Sequence, residues 1–196
     1  VYEGNVRVTG TNLNATAGRL TLLLPLAEHR LQSLTAEENV VVDYEKIHAT
    51  GEWAFYSADT GLILLKGQPT WRMGEREGGG DELVFDRTNR VFQATGHARL
   101  QMPASNMGAA GLLSAPGSAP ANAPPPTNQV VEIRCDRYEL RTNLAVFREQ
   151  VRVNERLGDQ VRGQMTCGRM TLTLAGTNEL EKMVADRQGQ LIITSH

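Results

Sequence analysis

The sequence predicts an all-β fold of repeated antiparallel strands, and three observations predict it. Apolar residues alternate with polar ones at a period of two, one short pattern recurs eleven times, and turn-forming residues stand at the joints. No window of useful length carries the three-to-four spacing of an amphipathic helix.

The pattern comes in two alternating forms. The first reads "GRLTL" (18–22), "GEWAF" (51–55), "DELVF" (81–85), "DRYEL" (136–140) and "GRMTL" (168–172). The second reads "GNVRV" (4–8), "ENVVV" (38–42), "GQPTW" (67–71), "GHARL" (96–100), "EQVRV" (149–153) and, less clearly, "GQLII" (189–193). Each holds two apolar residues separated by one position, as in a strand with one dry and one wet face. "SADTG" (57–61), "DRTN" (86–89), "RTN" (141–143) and "AGTN" (175–178) follow first forms, and "GEREGGGD" (74–81) and "NERLGDQ" (154–160) follow second ones. Gly, Asn and Asp permit reversals there, so the joints read as turns and the chain as an antiparallel meander. About 15 residues lie between turns, more than one ordinary strand, so each run is expected to bend midway and place its ends in two facing sheets.

First forms start 33, 30, 55 and 32 residues apart. The long interval contains residues 103–128, which hold six of the eight prolines among many Ala, Gly and Ser. A segment of that composition reads as a loop interrupting one array. The expected organisation is therefore a single β-repeat domain over 1–196, part of a longer chain or its mature portion.

Composition removes several functions. Twenty Lys and Arg against 22 Asp and Glu give a net charge of −2, without the basic stripe of a nucleic-acid binder. Few of the cations cluster along the chain, and Arg7, Arg19, Arg99, Arg152 and Arg169 alternate with apolar residues as on a solvated strand face. No apolar run has transmembrane length, and no export signal is visible. His29, His48, His97 and His196 are scattered, which predicts no metal site, and no cofactor is expected. Asp59, Asp81, Asp86 and Asp136 stand at turns or strand starts, no Ser has a nucleophile context, and "GEREGGGD" lacks the ending of a phosphate loop and reads as a flexible turn. An enzyme is not expected. Cys135 and Cys167 precede equivalent patterns in adjacent repeats. An intervening strand keeps them roughly 10 Å apart, beyond disulfide reach, so both are expected as free thiols.

The recurring "GNVRV", "GHARL" and "EQVRV", with "AGRLTL", "CDRYEL" and "CGRMTL" beside them, resemble the OstA-like family. That family includes the lipopolysaccharide-transport proteins LptA and LptC and the amino-terminal domain of LptD. The resemblance covers nearly the whole chain apart from 103–128. It implies an elongated, twisted, V-shaped β-jelly roll whose trough carries the acyl chains of lipopolysaccharide or a similar amphiphile. It also implies end-to-end strand pairing with other OstA-like domains, and a place in the periplasm of a Gram-negative bacterium, bridging the inner and outer membranes. The Pro/Ala-rich insertion and the two Trp residues depart from the compact members.

The groove is expected to be lined by Leu20, Leu22, Trp53, Phe55, Leu83, Phe85, Tyr138, Leu140, Met170, Leu172, Val151 and Val153. A uniform apolar lining binds acyl chains by burial alone, about 25 cal/mol per Å², without geometric specificity. The alternative from the same residues is a structural scaffold with a closed core and no lipid cargo.

Overall fold

A computed structural model of the chain describes residues 1–10, 12–25, 30–107, 129–175, 180–186 and 190–193. Residues 108–128 of the Pro/Ala-rich segment, most of "AGTN", Gly189, His29 and His196 lie outside the described residues. The described elements are strands, apart from one 3₁₀ turn at Ala104–Met107. They form two compact units, Val1–Gly96 and His97–His196, with the division falling inside one strand.

The first unit contains β1 (Tyr2–Thr9), β2 (Leu13–Leu23), β3 (Ser33–Tyr44), β4 (Ile47–Ser57), β5 (Leu62–Lys66), β6 (Thr70–Met73), β7 (Arg76–Gly79) and β8 (Glu82–Asp86). β9 (Val91–Pro103) runs on into the second unit, which continues with β10 (Gln129–Leu140), β11 (Leu144–Leu157), β12 (Gln160–Leu174), β13 (Leu180–Ala185) and β14 (Gln190–Ile193). β1 to β5 are neighbours in chain order and β8 follows β5; β6 pairs with β4 and β7. β9 to β13 are also neighbours in chain order, and β14 pairs with β12. Within each unit the neighbouring strands pair antiparallel. The all-β meander expected from the two-residue period is the architecture found.

The pair opening each of the first five second-form patterns has a structural role, which is to make the bend expected midway along the runs. Gly4 and Asn5, Glu38 and Asn39, Gly67 and Gln68, Gly96 and His97, and Glu149 and Gln150 all have positive φ, between 46° and 82°. Two successive left-handed residues turn the strand sharply, and the ladder shifts register around them in β1, β3 and β11. These pairs are therefore the midway bends expected from the length of the runs and, at 67–68, the break between β5 and β6. Glycine takes that conformation freely. The non-glycine members are held in it against about 1–2 kcal/mol each.

The bend in β3 can be measured. Straight, the ten-residue step from Leu34 to Tyr44 would span ~33 Å. Tyr56 lies directly opposite Leu34. Yet the Arg87 guanidinium sits 5.2 Å from the Tyr44 ring and 5.7 Å from the Tyr56 ring. The two ends of the strand pair therefore face each other across the interior of the first unit.

"GEREGGGD" corrects an expectation. It is not a flexible turn: residues Arg76–Gly79 form β7, and only Gly74 and Glu75 make the reversal. Gly78 is buried, directly opposite Trp71.

Candidate ligand groove

Cross-strand register lines up the inward side chains of the first unit into rows. Tyr2, Leu20, Ala36, Ala54, Leu65, Leu83 and Ala94 are successive partners from β1 through β9. A second row runs Leu22, Leu34, Tyr56, Ile63, Phe85 and Phe92. Beyond the bends, the facing half carries Val8, Ala15, Val42, Ala49 and Trp71. The halves meet where Trp71 packs edge-on to Phe92 at 5.1 Å, and Phe92 packs on Phe85 at 4.6 Å.

This apolar face is covered in the middle and open at the β1 end. Leu20, Leu65, Leu83 and Ala94 are fully buried, while Tyr2 is 58% exposed and Leu24, just past β2, is 53% exposed. Val6, Val8 and Leu22 are half-buried. Near the far end of the first row's neighbours, Arg87 closes over Tyr44 and donates a hydrogen bond to the Tyr56 hydroxyl at 3.1 Å.

In the second unit the rows are Tyr138, Phe147, Met170 and Ala185, then Leu140, Ala145, Leu172 and Met183. On the other side of the bend, Ile133, Val153 and Met165 are partners, as are Val151 and Cys167. Tyr138, Phe147, Met170, Leu172, Val151 and Val153 are buried, and Leu140 is half-buried. Cys135 and Cys167 are buried free thiols on β10 and β12, with β11 between them. Burial pushes the Cys135 thiol up to about 12 and raises Cys167 as well, where the Asp186 charge adds to it.

Of the residues expected to line a groove, Leu20, Leu22, Leu83 and Phe85 share the inward face of the first unit, and Tyr138, Leu140, Met170, Leu172, Val151 and Val153 that of the second. Trp53 and Phe55 do not belong with them. Trp53 lies opposite Glu37 and Lys66, in the same cross-strand row as Arg19, and Phe55 lies opposite Thr35 and Leu64. Both face outward, stacked 6.2 Å apart and half-buried. Their inward neighbours are Ala54 and Tyr56. Four consecutive apolar residues, 53–56, gave the two-residue period two possible phases, and Gly51 takes the inward place opposite Val40. A Cβ on Gly51 would approach the Lys66 carbonyl oxygen at 2.9 Å.

The sequence reading missed Glu155, the buried charged residue of the described core. It lies between Val131 and Gly163 on the inward face and accepts a hydrogen bond from the Gln129 side chain. It was missed because "NERL" was read as turn, whereas β11 runs to Leu157. Among the described residues no group of His, Cys, Asp and Glu is arranged to hold a metal, and no helix is long and apolar enough to cross a membrane.

Residues 1–91 match the family of LptA/(LptD N-terminal domain) LPS transport proteins. The first unit is therefore similar to the OstA-like domains of that family. That match bears out the resemblance carried by the repeated strand patterns. No curated protein matches the chain. A solved structure extends the likeness in fold: LptH, the LptA homologous periplasmic component of the lipopolysaccharide transport device of Pseudomonas aeruginosa. It superposes with a TM-score of 0.54 at 12% identity, over 76% of this chain and 95% of that one. The family match thus bears on the rows of the first unit, and for the chain beyond residue 91 the likeness is one of fold.

Proposed function

We propose that this protein is a non-catalytic module of lipopolysaccharide transport that holds acyl chains against the inward face of its strands. The observation that carries the reading is the row from Tyr2 to Ala94, an apolar track seven strands wide that starts exposed at the β1 edge and runs into the interior. Such a track binds by apolar area and imposes little geometry, which suits a cargo that must enter and leave. Among the described residues β1 has a neighbour on one side only, which leaves its other edge to pair with the terminal strand of another OstA-like domain. A periplasmic location, bridging the two membranes, follows from the same reading.

The test places a photo-crosslinking residue at Leu65 or Leu83 in the first unit, at Met170 or Leu172 in the second, and at outward Leu64 or Val84 as controls. Lipopolysaccharide is expected to crosslink at the inward positions only. If it is captured only at the controls, or nowhere, the carrier reading fails and a closed scaffold replaces it.

A further inference from the structure

We propose that the outward face of β9 to β12 binds phosphate groups carried on the headgroup of an amphiphile. Six arginines converge there. Arg137, Arg148 and Arg169 are directly opposite one another on β10, β11 and β12, and Arg134 is directly opposite Arg152. Arg99 joins the second group: an open cleft of about 410 Å³ is lined by Arg99, Arg134 and Arg152 together with His97, Asp136 and Gln150.

Like charges directly opposite on neighbouring strands repel, so this arrangement works against the fold unless something anionic lies across it. The local carboxylates do not neutralise it. Glu132 pairs with Arg134 at 2.8 Å and Glu149 with Arg137 at 3.1 Å. Asp136 accepts a hydrogen bond from Gln150 at 3.4 Å, and Asp186 accepts one from the Gly168 amide at 2.9 Å. Arg99, Arg148, Arg152 and Arg169 make no ion pair among the described residues, and all but the half-buried Arg148 are exposed. Guanidinium groups fork onto phosphate oxygens, and several on one face engage several phosphates at once. The equivalent row of the first unit differs. There Arg19 meets Glu37 and binds Glu3 at 3.1 Å, and Lys66 meets Glu82 at 3.2 Å.

The inference rests on the transport reading only for its choice of an amphiphile. The test compares the protein with two triple variants, Arg99→Gln/Arg152→Gln/Arg169→Gln and the charge-matched Arg7→Gln/Arg19→Gln/Lys66→Gln. The probes are pyrophosphate, followed through arginine side-chain NMR signals, phosphatidylcholine vesicles with and without phosphatidylglycerol, and purified lipopolysaccharide. Pyrophosphate is expected to shift the signals of the second-unit arginines and to lose this effect in the first variant alone. An arginine near an anionic lipid surface contributes roughly a fivefold gain, so lipid binding should fall on the order of a hundredfold in that variant. Response to phosphatidylglycerol alone assigns the phosphates to a bilayer surface, and response to lipopolysaccharide alone assigns them to that lipid. Equal losses in both variants, binding of an oligonucleotide as tight as that of lipid, or no binding of any probe would overturn the site. Pyrophosphate reads the face without involving the interior, so its failure and the failure of the inward crosslinks are separate results.

Discussion

β2 to β4 of the first unit and β10 to β12 of the second are built on one plan and filled differently. Each is a set of three long antiparallel strands whose middle member carries two consecutive left-handed residues, Glu38 and Asn39 or Glu149 and Gln150. On β2 to β4, five of the nine buried apolar residues are alanines; on β10 to β12 Ala145 is the single alanine, among Tyr138, Phe147, Met165, Met170 and Leu172. The first unit therefore depends on the opposite wall, through Trp71, Phe85 and Phe92, to fill its interior. In the second unit the same three strands bring their own bulk. The outward faces differ as well, with alternating signs in the first row and arginine after arginine in the other. The backbone device fixes where side chains point, and the side chains then give one unit strands lined largely by alanine and the other bulkier inward residues beneath a cationic exterior.

The largest effect that bears on this contrast is chemical. With its pKa moved from an ordinary 9.0 to about 12, Cys135 holds roughly a thousandth of the usual thiolate at neutral pH. Alkylation of the native protein should be slow at both thiols and slower at Cys135 than at Cys167. Rapid labelling of Cys135 would mean that the second interior opens freely.

Stability comes next. Phe147→Ala, at a fully buried site, should lower unfolding free energy by about 3–5 kcal/mol. Ala36→Phe in the first unit overpacks instead and should remove about 1–3 kcal/mol. Denaturant titration compares them; equal effects would erase the distinction between strands that carry bulky inward residues and strands that carry alanines. Arg87→Ala removes the guanidinium over Tyr44 and Tyr56 and should destabilise the first unit by about 1–2 kcal/mol. An unchanged melting profile would show that the facing halves do not need this closure.

A smaller gain is expected from Gln150→Gly. It relieves a left-handed residue in β11 at some cost in unfolded-chain entropy, for a net stabilisation of about 0.5–1 kcal/mol in thermal melts, whereas Gln150→Ala brings no gain. The smallest effect concerns Asp86, whose carboxylate accepts hydrogen bonds from the Asn89 amide and side chain, lowering its pKa. A lowered folded pKa contributes stability above the unfolded value, lost as pH falls through the folded one. Asp86→Asn should flatten that acid limb by slightly lowering stability at neutral pH while leaving it nearly unchanged in acid.

Much of the site was legible because a strand's period of two is strict. Leu20, Leu83, Met170 and Leu172 follow a Gly-Arg or acidic pair and alternate with polar residues, so their facing was forced. Where the signal was ambiguous, register decided. Residues 53–56 are all apolar, and only their pairing with the buried Ala36 and Leu34 shows that Ala54 and Tyr56 turn inward. Residues 76–79 looked like a loop because glycine weakens strand propensity, and their pairing with β6 makes them a strand.

The sequence by itself determined the class of fold, the alternation of faces and the family, because each rests on local periodicity and short repeated patterns. Tertiary structure decided what lies beside what. Arg134 and Arg152, or Arg137, Arg148 and Arg169, are distant along the chain and look like isolated solvated cations there. Antiparallel pairing brings each to within a strand spacing of the next, and charges interact through space.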